Sequence, residues 1–305
     1  MKNAREISDS CPICSGSAVK SCEVVRAKVV AMCGACGSWY RVPRPTAQDL
    51  AQIYDKDYYD SWGLDEDEDA AWISKRATFG PLLRRVKELL VTGDTGNGGK
   101  TRLLDVGAAT GMLLRTAQEL GWDVYATEVN HYSAGILRNR YGADRVFEGE
   151  LTRCGFERDF FDVIMMTDVI EHVLDVPATL RKAADLLRSG GVLCITTPRI
   201  DTFSRFLMGS RWLHFKREHI QYFSRRGVEF SLREAGFSDT AVSGHRKYLT
   251  YDYVRRQLRA YRHRLAAPII TFAGRLLPHG LRCRPVGYRY GEMLVTARLL
   301  CEAQS

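Results

Sequence analysis

The sequence predicts an α/β protein built on a doubly wound, mostly parallel sheet. Between residues 101 and 244, short apolar segments alternate with segments whose apolar residues recur at helical spacing. Such alternation of strands and helices is typical of a parallel sheet with helices on both faces. The run 161–167 is continuously apolar, as expected for a strand that is covered on both sides. One layered α/β domain is therefore expected.

The elements can be placed in order along the chain. Strands are predicted over residues 102–106, 123–128, 145–148, 161–167, 192–197 and 292–300. Helices are predicted over about 111–120, 131–141, 176–188 and 224–235. Gly190-Gly191 is expected to stop the third helix, and Pro198 to end the fifth strand. Ser224 is a suitable N-cap for the last helix, with Gly236 at its C-terminal end.

Composition is that of an ordinary globular protein. The chain has 305 residues, of which 45% are hydrophobic and 26% charged. Residues 1–10 are polar and show no signal peptide, and no apolar run reaches the length needed to cross a bilayer. The expected location is the cytoplasm.

Positive charge is concentrated near the C-terminus. The formal net charge is +8, yet residues 245–290 alone hold eleven Lys/Arg against one acid, Asp252. This segment is predicted to be a basic helical insertion, with an apolar stretch at 268–277. Packing on the core is the first interpretation, peripheral contact with the inner membrane surface the second, and nucleic-acid binding the third.

Five of the nine cysteines lie in the first 36 residues. Cys11 and Cys14 form one Cys-x-x-Cys knuckle, and Cys33 and Cys36 form a second one 18 residues later. Two such knuckles suit tetrahedral Zn²⁺ held by four thiolates, which leaves no open position and makes the metal structural. A zinc-ribbon-like module is predicted over residues 1–45.

Two further regions complete the predicted domain organisation. Residues 46–100 are expected to form a helical lid or linker, which ends in the glycine-rich loop 93–99. Residues 101–305 form the main domain, with the basic insertion at about 245–290.

The turn after the first strand carries the pattern of a ligand-binding loop. Gly107 and Gly111 bracket a tight strand-to-helix turn that lets a ligand approach the backbone. Glu128 ends the next strand, where a carboxylate can accept both hydroxyls of a ribose. The spacing lacks the Gly-x-Gly-x-x-Gly of a dinucleotide site and the Gly-Lys-Ser/Thr of a P-loop. A ligand with a ribose but no phosphate suits this loop better.

Residues 103–111 resemble the first motif of class I S-adenosylmethionine-dependent methyltransferases, Asp/Glu-x-Gly-x-Gly-x-Gly. Glu128 matches the ribose-binding acid of that family. Residues 161–173 and 186–193 resemble its fourth-strand and fifth-strand motifs. Ala109 is a departure, because the pattern prefers glycine there.

The resemblance implies a Rossmann-like, seven-stranded sheet and S-adenosylmethionine as the cofactor. It also implies that residues after the first four strands contact the cofactor. These residues are Asp105, Gly107, Ala109, Gly111, Glu128, Glu150, Leu151, Thr167 and Asp168.

Candidate catalytic residues follow the fourth and fifth strands. Glu171 and His172 come just after the fourth strand, and a histidine has a pKa suited to accepting a proton. His214 and His219 lie in the aromatic segment 212–223, which is expected to line the acceptor pocket. The alternatives are that Glu171 and His172 cap a helix, and that the segment is a packed loop with structural histidines.

The leading functional hypothesis is O-methylation of a saccharide or small metabolite, lipid-linked or free; transfer to carbon or nitrogen ranks lower. The saccharide follows from a resemblance of the whole arrangement to bacterial methyltransferases encoded beside polysaccharide or natural-product biosynthesis genes. One alternative is a zinc-ribbon binding or scaffold protein with a degenerate methyltransferase fold. Another is an RNA methyltransferase, although Thr167-Asp168-Val169-Ile170 stands where an Asn-Pro-Pro-Tyr-like motif would favour methylation of base amino groups.

Overall fold

The structure is a computed structural model that describes residues 10–16, 19–25, 28–51, 68–90, 99–260 and 277–299. Its strands are β1 (Val19–Val25), β2 (Lys28–Cys33), β3 (Trp39–Val42), β4 (Arg102–Val106), β5 (Asp123–Glu128), β6 (Val146–Glu148), β7 (Phe161–Thr167), β8 (Leu187–Pro198), β9 (Gln221–Tyr222), β10 (Phe237–Gly244), β11 (Lys247–Leu249), β12 (Val286–Tyr288) and β13 (Glu292–Leu299). Its helices are α1 (Ala47–Ala51), α2 (Glu68–Leu89), α3 (Met112–Glu119), α4 (His131–Tyr141), α5 (Val176–Leu186), α6 (Phe203–Met208), α7 (Arg225–Glu234), α8 (Tyr251–Ala260) and α9 (His279–Arg282).

A seven-stranded mixed sheet forms the centre of the fold, in the order β10-β13-β8-β7-β4-β5-β6. The strands from β8 to β6 are parallel, and only β13 runs against its neighbours within this sheet. The predicted Rossmann-like, seven-stranded fold is confirmed.

The core lies on both faces of this sheet. Ile164 of β7 packs in the cluster on one face, and its neighbour Val163 packs in the cluster on the other. Alternating side chains of a strand point to opposite faces, so a strand that is apolar throughout must be covered twice. The helices supply this cover, and Ser224 caps α7 as predicted, its Oγ accepting from the Gly227 N–H at 2.9 Å.

One strand and one helix end differ from the sequence prediction. Strand β10 at the sheet edge was not predicted, because only its first residue is fully buried and it lacks a continuous apolar run. Helix α5 ends at Leu186, and Gly190-Gly191 lies inside the long strand β8 and does not stop the helix. Pairing of Leu187 with Phe161 in the sheet replaces the last helical turn.

The described part of the basic segment, residues 245–260 and 277–290, contains strands as well as helices. It begins with β11, which pairs with β12 in a two-stranded sheet. Helix α8 starts at Tyr251, because Thr250 accepts from the Tyr253 N–H through its Oγ1 at 3.2 Å and so acts as the cap. Residues 261–276, with most of the predicted apolar stretch, lie outside the described residues.

The N-terminal strands form a four-stranded sheet, β1-β2-β3-β9, with a strand from the main domain. Trp39 pairs with Tyr222 across the junction of β3 and β9. Ser224 Oγ also donates to the carbonyl of Cys36 at 2.5 Å, so the cap of α7 holds the second cysteine knuckle. Of the predicted lid, residues 52–67 lie outside the described residues. Among the helices that are described, none is long and apolar enough to cross a membrane.

Candidate active site

A cavity of about 1310 Å³ opens at the carboxyl ends of β4, β5, β7 and β8. This is the end of a doubly wound sheet where ligands bind, beside the point at which the strand order reverses. All three predicted catalytic histidines line this cavity, and so do eight of the nine predicted cofactor residues, Gly111 being the exception.

The loop between β4 and α3 requires glycine at both bracketing positions. Gly107 has φ +69° and Gly111 has φ +80°, in the left-handed region. A Cβ on Gly107 would lie 2.8 Å from the Val169 side chain, and one on Gly111 would lie 2.7 Å from the Leu137 side chain. These contacts are closer than real Cβ atoms make. The glycines therefore serve both the turn and the packing behind the cavity.

Ala109 occupies a conformation that favours glycine. Its φ is +48°, and its side chain is exposed to the cavity. The left-handed region costs a residue with a Cβ about 1 kcal/mol. The Ala109 N–H donates to Glu128 Oε2 at 2.7 Å, and this hydrogen bond holds the strained turn in place.

Glu128 and Asp105 are two buried carboxyls at the base of the loop, 4% and 2% exposed. Glu128 accepts from the N–H groups of Ala109 and Asn130, yet burial raises its pKa above the usual value. Burial and the charge of Glu128 raise the pKa of Asp105 well above its usual range. Asp105 Oδ1 has no hydrogen-bond partner in the structure. An unsatisfied buried oxygen is costly, so this position suits a ligand that brings a donor.

The remaining predicted cofactor residues lie on the adjoining walls. Glu150 is exposed and Leu151 is buried, just after β6. Thr167 ends β7, and Asp168 follows it with φ +58°, a strained backbone at the cavity.

Lys247 ties the C-terminal segment to this wall. Its Nζ lies 2.7 Å from Asp168 Oδ2 and 2.8 Å from Glu292 Oε1. These pairs hold the pKa of Asp168 below, and the pKa of Lys247 well above, their usual values, although partial desolvation acts against both charges. Lys247 is one of the eleven Lys/Arg of 245–290, yet it is partly buried and paired with two acids at the cavity. The pairing depends on where β11 lies, and no local pattern reveals it.

Of the three predicted histidines, His214 and His219 are buried and His172 is partly buried. Burial lowers the pKa of each, that of His172 to about 4. The rings of His172 and His219 meet edge to face with centroids 4.8 Å apart. His214 has a different partner: its Nε2 is 2.7 Å from the carbonyl oxygen of Tyr290. A further histidine, His245, is buried and also lines the cavity; it was missed because it stands alone in the sequence.

Glu171 is the other buried acid on this side, 1% exposed. Its Oε2 accepts from Thr197 Oγ1 at 2.9 Å, whereas its Oε1 has no hydrogen-bond partner. Burial, followed by the charge of Asp168, raises its pKa to about 8.

The four predicted metal-ligating cysteines converge away from the cavity. The Sγ atoms of Cys11, Cys14, Cys33 and Cys36 lie within 4.8 Å of one another. The Sγ–Sγ distance is 3.8 Å for Cys11–Cys36 and 3.5 Å for Cys14–Cys33. A tetrahedral site with Zn–S bonds of about 2.3 Å requires sulfurs about 3.8 Å apart. The geometry fits a four-thiolate site.

Sequence comparison finds one family and a group of curated relatives. A family model described as a methyltransferase domain matches residues 64–242. A ubiquinone biosynthesis O-methyltransferase from Sinorhizobium medicae is 28% identical over 134 residues, covering 42% of this chain and 51% of the relative. The chain spans about half the length of the curated relatives it matches.

Solved structures share the fold at low identity. The [4+2]-cyclase SpnF aligns with a TM-score of 0.51 and 19% identity, over 84% of this chain and 97% of that one. A phosphoethanolamine N-methyltransferase 2 from Haemonchus contortus aligns with a TM-score of 0.50 and 17% identity, over 86% and 62%. A cyclase and an N-methyltransferase are thus alike in fold, so a reaction must be argued from the site.

Proposed function

Because the chain belongs to the methyltransferase-domain family, we propose that it is an S-adenosylmethionine-dependent methyltransferase. One observation carries the proposal: the glycine loop and Glu128 meet at the floor of a cavity at the carboxyl ends of the strands. We assign this loop to the donor end of the cavity, and the histidines and acids that also line it, such as Glu171, His172 and His219, to its acceptor end.

The residues at the donor end fit the cofactor. The Glu128 carboxylate would accept the ribose hydroxyls, and Asp105 Oδ1 would accept a donor that the protein itself does not supply. Gly107, Ala109 and Gly111 keep the loop open to close approach, and Glu150 with Leu151 would border the adenine. When bound, S-adenosylmethionine supplies a methyl group already activated as a sulfonium, so the protein needs mainly to align the acceptor and exclude water.

We infer that the acceptor atom is oxygen. The names of the curated ubiquinone biosynthesis O-methyltransferases support this choice. We choose His214 as the proton acceptor. As in His172, whose Nδ1 faces the Glu218 carbonyl, one ring N–H is donated to a carbonyl: the Nε2–H of His214 goes to Tyr290, which leaves the lone pair on Nδ1. Its Nδ1 lies 4.0 Å from Glu292 Oε1, which would stabilise the imidazolium that forms.

A saccharide or small metabolite is the acceptor class we propose, lipid-linked or free. The cavity volume admits a ligand well beyond the cofactor, and aromatic side chains such as Tyr248, Tyr288 and Tyr290 line it. Aromatic walls with a few polar groups are common in small-molecule sites. Arg246, Arg284 and Arg289 are exposed in the described part of the basic segment, and they would allow peripheral contact with an anionic membrane surface.

For the N-terminal module we propose a structural Zn²⁺ held by Cys11, Cys14, Cys33 and Cys36. The convergence of four sulfurs supports it, and four ligands leave no open coordination position. We retain the domain limits 1–45, 46–100 and 101–305 as part of the same proposal.

The test is transfer of labelled methyl groups from S-adenosylmethionine to a cell extract, with mass identification of the product. We expect a methylated hydroxyl compound with the wild-type protein and its loss with Glu128→Ala. Equal labelling by the two proteins, or label on nitrogen or carbon, would overturn the respective part of the proposal. A binding or scaffold module would give no labelled product while its folding stays normal.

A further inference from the structure

Three ligand atoms converge at the acceptor end of the cavity, away from the four cysteines. Glu171, His172 and His219 each offer one oxygen or nitrogen, and these atoms lie within 4.8 Å of one another. All three residues line the cavity. We call them the Glu171 cluster.

Two atoms of the Glu171 cluster are buried without a hydrogen-bond partner. They are Glu171 Oε1 and His219 Nδ1, whose residues are 1% and 3% exposed. An unsatisfied buried polar atom costs about 1–3 kcal/mol. Two such atoms within one cluster of residues indicate a site that is completed by a bound ligand.

His172 is oriented as metal-ligating histidines usually are. Its Nδ1 lies 3.2 Å from the carbonyl oxygen of Glu218, and a proton on Nδ1 donated to that carbonyl fixes the tautomer. The lone pair is then on Nε2, which lies 4.0 Å from Glu171 Oε1. Metal-binding histidines typically donate the other ring N–H to a carbonyl or carboxylate in this way.

Glu171 is anchored in a matching way. Its Oε2 is held by the hydroxyl of Thr197, which leaves Oε1 directed away from that bond. One carboxylate and two imidazoles form a donor set typical of first-row transition metals, whereas Mg²⁺ and Ca²⁺ prefer oxygen ligands alone.

We propose that the Glu171 cluster binds one divalent transition-metal cation at the acceptor end of the cavity. Three protein ligands leave coordination positions that a molecule in the cavity can occupy. If the proposed function holds, the cation would take an acceptor that offers oxygen ligands and would favour ionisation of its hydroxyl. Metal binding itself does not depend on that function.

The experiment uses the full chain, loaded with Zn²⁺ at the cysteines and then titrated with Mn²⁺. The free Mn²⁺ signal in electron paramagnetic resonance reports how much cation remains unbound. Mn²⁺ competes poorly for thiolates, so it separates the two sites. We expect saturable uptake of one Mn²⁺ per chain.

Glu171→Gln and His219→Gln should each weaken Mn²⁺ binding by more than about tenfold, since even changes around the ligands cost that much. The matched control is His245→Gln. His245 is also a buried histidine of the cavity but lies outside the cluster, so this variant should bind Mn²⁺ like the wild type. Circular dichroism and zinc content identify a variant that fails to fold, and the other variant then decides.

No saturable Mn²⁺ uptake, or uptake equal in wild type and in a folded cluster variant, would overturn the metal site. Mn²⁺ binding without any binding of S-adenosylmethionine would instead keep the metal site and reject the proposed function. The two proposals thus fail separately.

Discussion

Lys247→Met removes the cation that joins the C-terminal segment to the acceptor wall of the cavity. In the folded protein its Nζ is within 2.8 Å of both Asp168 and Glu292. Methionine keeps the length of the side chain but leaves two carboxylates without their shared partner. We expect a large loss of stability, because the Lys247 side chain is only 21% exposed.

The magnitude follows from the exposure of the two acids. The Asp168 side chain is 39% exposed, so solvent screens that pair, which contributes about 0–1 kcal/mol. The Glu292 side chain is only 10% exposed, and removing one partner of a buried pair costs about 3–5 kcal/mol. We therefore expect a decrease of about 3 kcal/mol in the free energy of unfolding.

Denaturant unfolding at saturating Zn²⁺ measures this loss. The matched control is Arg246→Met, an exposed neighbour, which should change stability by less than about 0.5 kcal/mol. The double variant Lys247→Met/Glu292→Gln should recover about half of the loss, because the buried unpaired charge is gone. Equal stability of the Lys247 and Arg246 variants would refute the ion-pair account.

Three further predictions concern the loop, the cofactor acid and the cysteines. Ala109→Gly should raise the free energy of unfolding by about 0.5–1 kcal/mol, because glycine tolerates the left-handed backbone; a lower unfolding midpoint in denaturant would argue against strain there. Affinity for S-adenosylmethionine should fall on acidification, because only ionised Glu128 accepts both ribose hydroxyls: binding is full above its pKa, which burial raises, and is lost below it. A plot of affinity against pH should show this loss as a step. The same step in Glu128→Gln would assign the titration to another group. Cys33→Ser should lose the bound Zn²⁺ while Cys22→Ser, outside the cluster, keeps it; metal analysis that finds equal zinc in both variants would reject the four-cysteine site.

Much of the fold could be predicted because it is encoded locally. The apolar run of β7 and the cap at Ser224 each act within a few residues, and the structure has both. The edge strand β10 and the pair β11–β12 depend on partners far away in the chain, and their sequences carry no regular period. Such elements are set by tertiary packing, which a single sequence does not show.

The candidate site was predictable where strands end. The carboxyl ends of parallel strands meet at one edge, so the residues after β4, β5 and β7 had to come together. Lys247 and His245 reach this edge from the segment between β10 and β13, and no motif marks them. The roles of the site residues remain predictions that the variants above address.

The central claim is that the cavity at Gly107 and Glu128 binds S-adenosylmethionine. Isothermal titration calorimetry of freshly purified, Zn²⁺-loaded protein with S-adenosylmethionine tests it most directly. The account predicts saturable binding of one molecule per chain, weakened in Glu128→Ala. No saturable heat with a folded wild-type protein, or equal binding by the variant, would contradict it.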